Sequence, residues 1–211
     1  MTNLLIVGAS GAIARHVVAF LKDMPAIRAT LYLRDAGKLG GLDTRGMRIV
    51  VGDVTDSATL AEAVRGQDVV YANLTGQVDV MAKGLIGAMD REGVKRLIFI
   101  TGLGIYDEVP GKFGAWNRRE IGSYLPPFRR AADMIEASGL DYTILRPAWL
   151  TDNDEVAYET TGRHEPFKGT EVARKAVAAY IMTLLENPAK DIGANVGLNK
   201  PGTDGDKPAF A

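Results

Sequence analysis

Short apolar runs alternate along the chain with longer stretches whose apolar residues return every three or four positions. The first run, 4–7, is too short for a helix and stops at Gly8. Residues 12–22 then set Ile13, Val17, Val18, Phe20 and Leu21 at helical spacing. Further strand-like runs fall at 29–33, 47–51, 68–72, 96–100 and 142–145, with a last short one at 194–198. Helical patterns separate several of them. One is capped by Thr55 or Asp56 and runs to about Arg65, and one covers 78–91. Another opens at Pro126-Pro127 and ends at Ser138 ahead of Gly139. A long one starts with Thr170 as N-cap and runs to Leu185. The glycine-bearing stretch 102–117 and the polar stretch 150–169 read as irregular. Residues 200–211 hold Lys, Pro, Gly and Asp with few core formers and are expected to form a mobile tail.

Strands alternating with helices predict a parallel sheet covered on both faces, an α/β doubly wound fold of the Rossmann type. No linker divides the chain, so residues 1–199 are expected to form one nucleotide-binding domain with a small C-terminal substrate region. In such sheets a ligand sits beyond the C-terminal strand ends, where the strand order reverses. Composition narrows the function classes. With 25 Lys and Arg against 26 Asp and Glu, no bulk field favours nucleic acid or an anionic membrane. The absence of cysteine removes thiolate nucleophiles and disulfides. Two histidines, His16 and His164, carry no metal signal, and none is expected. The apolar start lacks a basic flank and runs straight into glycine, unlike a signal peptide, and no stretch is long enough to span a bilayer. A cytoplasmic protein with a small-molecule substrate is expected; a homodimer stays open.

The chemistry concentrates in the turn Gly8-Ala9-Ser10-Gly11-Ala12-Ile13-Ala14. Gly8 permits a sharp exit from the strand, Gly11 lets a pyrophosphate approach the backbone, and Ala14 lets the helix lie close on the sheet. Free N–H groups and the helix dipole then favour phosphate, and Ser10 adds a hydroxyl. A dinucleotide is the expected ligand. Arg34 ends the second run, where a carboxylate would hold the ribose 2′-hydroxyl of NAD. A guanidinium there suits a 2′-phosphate, which favours NADP(H) over NAD(H). Lys38 is a second candidate for that phosphate, and Asp35 a candidate for an NAD ribose. Asp53 is placed either to accept from an adenine amino group or to cap a turn. Asn73, Leu74 and Thr75 follow the fourth run on the adenosine side, and Thr101 ends the fifth, towards the nicotinamide.

Four segments give the chain a familiar look: LLIVGASGAIARHV, VVGDVTDSATLAEAVRGQDVV, VKRLIFITGLGIYD and ASGLDYTILRPAWLTD. Together they resemble the NmrA-like, atypical short-chain dehydrogenase/reductase proteins, which bind NAD(P)H in a single domain. The resemblance implies that Gly8, Ser10, Gly11, Ala12 and Ile13 contact pyrophosphate, Arg34 the 2′-phosphate, and Asp53 and Val54 adenine. It puts Thr101 and Arg146-Pro147 by the nicotinamide; a plainer role for Arg146 is tying its strand to a neighbouring loop.

The departures from that family matter for chemistry. Reductases with full acid–base machinery carry Tyr-x-x-x-Lys, in which tyrosine donates the proton. Here Tyr124 is followed at the fourth position by Phe128 and Tyr106 by Pro110, and no tyrosine has the lysine. Thr101 and Tyr106 are the remaining candidates to line a catalytic pocket. Arg129 or Arg130 can replace the missing charge or form a solvated helix face. His164 lies in the polar loop where such folds build a substrate site; with Tyr158, Glu155 and Phe167 it can touch a ligand, or it is a solvated loop histidine, and Phe113, Trp116 and Trp149 can wall a flat ligand or simply pack. The reading is an NADPH-dependent oxidoreductase passing hydride to a flat acceptor such as a quinone or flavin. The alternatives are a non-catalytic redox sensor and a sugar-nucleotide epimerase or dehydratase, for which the chain is short.

Overall fold

A computed structural model describes residues 1–211. Eight strands form the main sheet: β1 (Thr2–Val7), β2 (Ile27–Leu33), β3 (Arg48–Val51), β4 (Val69–Ala72), β5 (Arg96–Ile100), β6 (Asp141–Pro147), β8 (Glu159–Thr161) and β10 (Ala194–Asn199). Their order is β3-β2-β1-β4-β5-β6-β10-β8, all parallel except β8, which runs antiparallel along β10. β7 (Trp149–Thr151) and β9 (Glu171–Ala173) pair parallel in a small second sheet. The chain moves outward from β1 to β3 and then returns to the other side of β1 with β4, so the order reverses between those two strands.

The apolar runs lack alternation because both sheet faces are covered. In β1, Leu4 and Ile6 enter the core shared with α1 (Ala12–Phe20) and α6 (Arg174–Glu186). Leu5 and Val7 enter the opposite core, against α2 (Ser57–Val64), α3 (Val78–Glu92) and α5 (Leu125–Glu136). β5 divides in the same way, with Ile98 and Ile100 on one face and Leu97 and Phe99 on the other. Of the two expected caps for α2, Asp56 is used: its Oδ1 accepts from the amides of Ala58 and Thr59.

Three sequence expectations need correction. Residues 102–117 are not wholly irregular, because α4 (Gly111–Ile121) occupies much of the segment. Its glycines suggested a loop, but Gly114 is a packing residue: a Cβ there would sit 2.0 Å from the Val109 carbonyl oxygen. Thr170 does not cap α6. Its hydroxyl and amide both donate to the Thr203 carbonyl, and the helix begins only after β9, with no side-chain cap. Residues 200–211, expected to trail freely, instead lie against the body. The Lys200 amide donates to the Glu171 carbonyl at 2.7 Å, the Ala209 amide to Glu171 Oε2 at 2.8 Å, and Asp206 pairs with Lys112 at 3.1 Å.

Gly114→Ala is expected to destabilise the fold in urea titrations by at least about 2 kcal/mol, because helix and carbonyl must separate. Gly87→Ala, in open space inside α3, is expected to gain about 0.5–1 kcal/mol from helix propensity. Equal effects of the two would contradict the packing role of Gly114.

Candidate functional site

The strand ends at the order reversal open a cleft of about 340 Å³. The glycine turn forms its floor. Gly8 has φ +81°, in the left-handed region, and a Cβ there would meet the Asn73 carbonyl oxygen at 2.2 Å. A Cβ on Gly11 would meet Asn73 Nδ2 at the same distance. Both glycines are therefore required by the end of β4 crossing over the turn. Above them α1 starts with Gly11 as N-cap, with no side-chain cap and no acidic residue in the first turn. The amides of Ala12 and Ile13 find no carbonyl partner, so they are free to donate to an anion.

The cleft is lined by Gly8, Ser10, Gly11, Ala12 and Ile13, by Arg34 beyond β2, and by Asp53 and Val54 beyond β3. Asn73, Leu74 and Thr75 beyond β4 complete that expected set. The structure also brings in Tyr32, Asp35, Lys38, Met81, Leu150 and Arg174. Leu150 and Arg174 were missed because they come from distant segments that only the fold brings to the cleft. Arg34 is exposed and has no carboxylate within ion-pair distance. Asp35, its rival for an NAD ribose, is committed in part: its Oδ1 accepts from the Gly37 amide at 2.9 Å. Arg15 holds the Lys38 turn through the carbonyls of Lys38 and Gly40, at 2.8 and 2.9 Å.

Asp53 serves the turn with one oxygen. Its Oδ1 accepts from the Thr55 hydroxyl and amide, at 2.7 and 2.9 Å, leaving Oδ2 without a partner. Those bonds hold its carboxyl below the usual carboxylate range, with a smaller pull from Arg34. The Tyr32 hydroxyl donates to the Asp53 carbonyl at 2.7 Å and fixes this loop to β2.

Four expected residues are not brought to this cleft. Thr101 is buried, and its hydroxyl donates to the Leu145 carbonyl at 3.0 Å. Pro147 ends β6 in the core-facing sheet, where its carbonyl accepts from Leu103. Arg146 and Tyr106 belong to a separate polar cluster. The Arg146 side chain is fully buried; its guanidinium donates to Glu108, to Asn195 Oδ1 at 2.6 Å and to the Gly162 carbonyl at 3.0 Å. Glu108 in turn accepts from the amides of Gly104 and Tyr106, both at 2.9 Å. Arg146 thus ties its strand to the loop, its plainer role. The Tyr106 hydroxyl donates to Glu136 at 2.9 Å and accepts from Asn195 at 2.8 Å. Burial, then the bond to Glu136, pushes its pKa well above the ordinary tyrosine value.

The residues beyond β6 also divide. His164 and Tyr158 line another cavity, near the starts of β6 and β10 rather than the cleft at the glycine turn. Glu155 pairs with Lys200, and Phe167 is core. The three aromatics pack on one another, with Trp116 and Trp149 centroids 4.7 Å apart, and none lines the cleft. Arg129 and Arg130 lie on an exposed helix face, paired with Asp133 and Asp79.

A family described as NAD(P)H-binding matches residues 8–188. The chain belongs to this NAD(P)H-binding family. Its Rossmann architecture and its likeness to short-chain dehydrogenases/reductases agree with the resemblance read from the sequence. A Rossmann-fold NAD(P)-binding family protein from Shigella flexneri is 52% identical, with TM-score 0.87 and all of both chains covered. A short-chain dehydrogenase/reductase from Veillonella parvula, solved with NADP, is 28% identical, with TM-score 0.92 and 99% of each chain covered. Among curated proteins, an NAD(P)H azoreductase from Xenophilus azovorans is 29% identical over 153 residues, 71% of this chain. The match covers 49% of that azoreductase, so this chain spans about half its length. No helix is long and apolar enough to cross a membrane.

Arg146→Met is expected to lower stability by about 3–5 kcal/mol, because it strands the Glu108 carboxylate in the interior. Chemical denaturation measures this, and a loss below about 1 kcal/mol would remove Arg146 as the tie of the cluster.

Proposed function

We propose that the protein is an NADPH-dependent reductase that passes hydride to a flat, easily reduced acceptor, of the quinone, flavin or azo class. The observation that carries the reading is the uncapped start of α1 with Arg34 unpaired at the rim of the same cleft. The amides of Ala12 and Ile13 receive the diphosphate, and Ser10 adds a hydroxyl donor. Arg34, with Lys38 beside it, pairs with the 2′-phosphate, while the free Oδ2 of Asp53 accepts from the adenine amino group. When bound, the reduced nicotinamide supplies a hydride to the acceptor.

The acceptor class follows from which protons the chain can deliver. The Thr101 hydroxyl is spent on a carbonyl, and the Tyr106 hydroxyl on Glu136, with its pKa raised. Neither lines the cleft, and no Tyr-x-x-x-Lys stands in for them. Hydride transfer to a quinone or flavin needs no placed acid, since the proton that completes the reduced acceptor is taken from water. Reduction of an aldehyde, whose alkoxide needs a proton as it forms, is poorly served. Positioning then carries catalysis. The azoreductase relative supports an acceptor of this kind. A redox sensor that binds the dinucleotide without turnover is supported by the same missing acid.

The test is to mix the protein with NADPH and follow the loss of the reduced nicotinamide absorbance against quinones, flavins, azo dyes and aldehydes. Oxidation with the first three and not with aldehydes is expected. Stoichiometric binding with no oxidation across the panel would overturn the reductase and leave the sensor. Arg34→Gln is expected to raise the Kd for NADPH about 10-fold and to leave that for NADH within about 2-fold. An equal effect on both would remove Arg34 from the 2′-phosphate.

A further inference from the structure

Arg174 lines the nucleotide cleft together with the first turn of α1, although it stands at the far end of the sequence, at the head of α6. The two helices pack along one another on the same face of the sheet. His16, on the second turn of α1, has its pKa lowered by burial first and then by Lys175 and Arg174, with Asp152 and Asp154 acting in the opposite direction. The starts of α1 and α6 therefore share one rim, and neither has an acidic residue in its first turn.

The guanidinium of Arg174 keeps donors to spare. Its side chain is 24% exposed, and its one hydrogen-bond partner is Asp152 Oδ1, 2.8 Å from Nη1. The other nitrogens, Nε and Nη2, have no protein partner and reach solvent, where a ligand can take them. Asp152 is 84% exposed and belongs to the irregular strap that follows β7. A carboxylate so exposed is well solvated and is released at little cost. A diphosphate offers more oxygens and more charge, and it suits the planar fork of arginine.

We propose that Arg174 is a cofactor-binding residue that holds the dinucleotide diphosphate across the cleft from the first turn of α1, with Asp152 as the place-holder it releases on binding. The proposal rests on the reading of the cleft as the dinucleotide site. It assigns the two arginines different tasks. Arg34 meets a phosphate that only NADP(H) has; Arg174 meets the diphosphate that NADP(H) and NAD(H) share. It also gives Asp152 a function: it occupies Arg174 until the diphosphate enters, while the Asp154–Lys175 and Glu155–Lys200 pairs keep the rest of the strap in place.

The test measures Kd for NADPH, NADH and adenosine 2′-phosphate on the full-length protein and on Arg174→Gln, Arg174→Lys, Asp152→Asn and Arg34→Gln. Arg174→Gln is expected to weaken NADPH and NADH by the same factor, about 10-fold, and to leave adenosine 2′-phosphate unchanged. Arg174→Lys is expected to recover part of the loss, since it restores the charge without the fork. Asp152→Asn is expected to tighten both dinucleotides about 2-fold to 3-fold, a gain that a folding defect does not produce. An unchanged NADPH Kd in Arg174→Gln, with Arg34→Gln still separating NADPH from NADH, overturns the role of Arg174 and leaves the cleft assignment standing. Weaker binding in Asp152→Asn overturns the exchange. Failure of the unaltered protein to bind either dinucleotide overturns the cleft assignment itself.

Discussion

The crossing of the β4 end over the glycine turn constrains everything else at the main cleft. Asn73 brings its carbonyl and its side-chain amide to within 2.2 Å of where Cβ atoms on Gly8 and Gly11 would sit. That approach does two things at once. It closes the cleft from the β4 side, and it fixes the height at which α1 begins, so that the amides of Ala12 and Ile13 face outward. A side chain at either glycine would push the strand end off the turn and misplace both. The glycines thus serve the packing of the protein on itself as much as the approach of a phosphate. The sequence motif, read as a phosphate cradle, names only the second of these duties.

A second constraint governs the other half of the sheet. Arg146 buries a full charge, which is costly unless it is paired and bonded throughout. Glu108, Asn195 and the Gly162 carbonyl meet that demand, and Glu108 then holds the amides of Gly104 and Tyr106. The loop after β5, the start of β10 and the turn after β8 are fixed by this one side chain. The cluster commits the hydroxyl of Tyr106, one of the two residues that the sequence left as candidates to line a catalytic pocket, to Glu136 and Asn195.

Most of the fold was legible because its signals are local. Apolar runs such as 4–7 and 96–100 have no room to be anything but strands buried on both faces, and the glycine turn announces the first strand–helix junction. The eleven expected cofactor residues that line the cleft follow from that register, since each stands just past a strand end or in the glycine turn. Failures came where one residue type serves two purposes. Gly114 looks like a loop former and is a packing contact; Thr170 looks like a helix cap and is a tether for residue 203. Thr101 and Tyr106 look like donors, but their hydroxyls already have acceptors in the protein, and no local pattern reveals the partner. Arg174 was invisible for the converse reason. Its place on the cleft depends on how α6 packs against α1, across more than 150 residues of chain.

The charge balance of the whole chain hides the field that matters. A net charge of −1 gives no reason to expect an anionic ligand, yet Arg34, Lys38 and Arg174 all converge on one cleft whose central helix carries no acid in its first turn. The acids that do line it are partly occupied: Asp35 bonds the Gly37 amide and Asp53 the Thr55 amide and hydroxyl. Such bonds keep the carboxylates ionised but spend their oxygens on the protein's own donors, while Arg34 has no ion-pair partner. Three cationic side chains against two acids line the cleft, a local balance that the whole-chain charge does not reveal. Screening by salt weakens charges at an open rim more than charges in the interior. On the proposed assignment, dinucleotide affinity set by Arg34 and Arg174 falls as salt is raised, while the buried Arg146 cluster and the fold it ties together are screened far less.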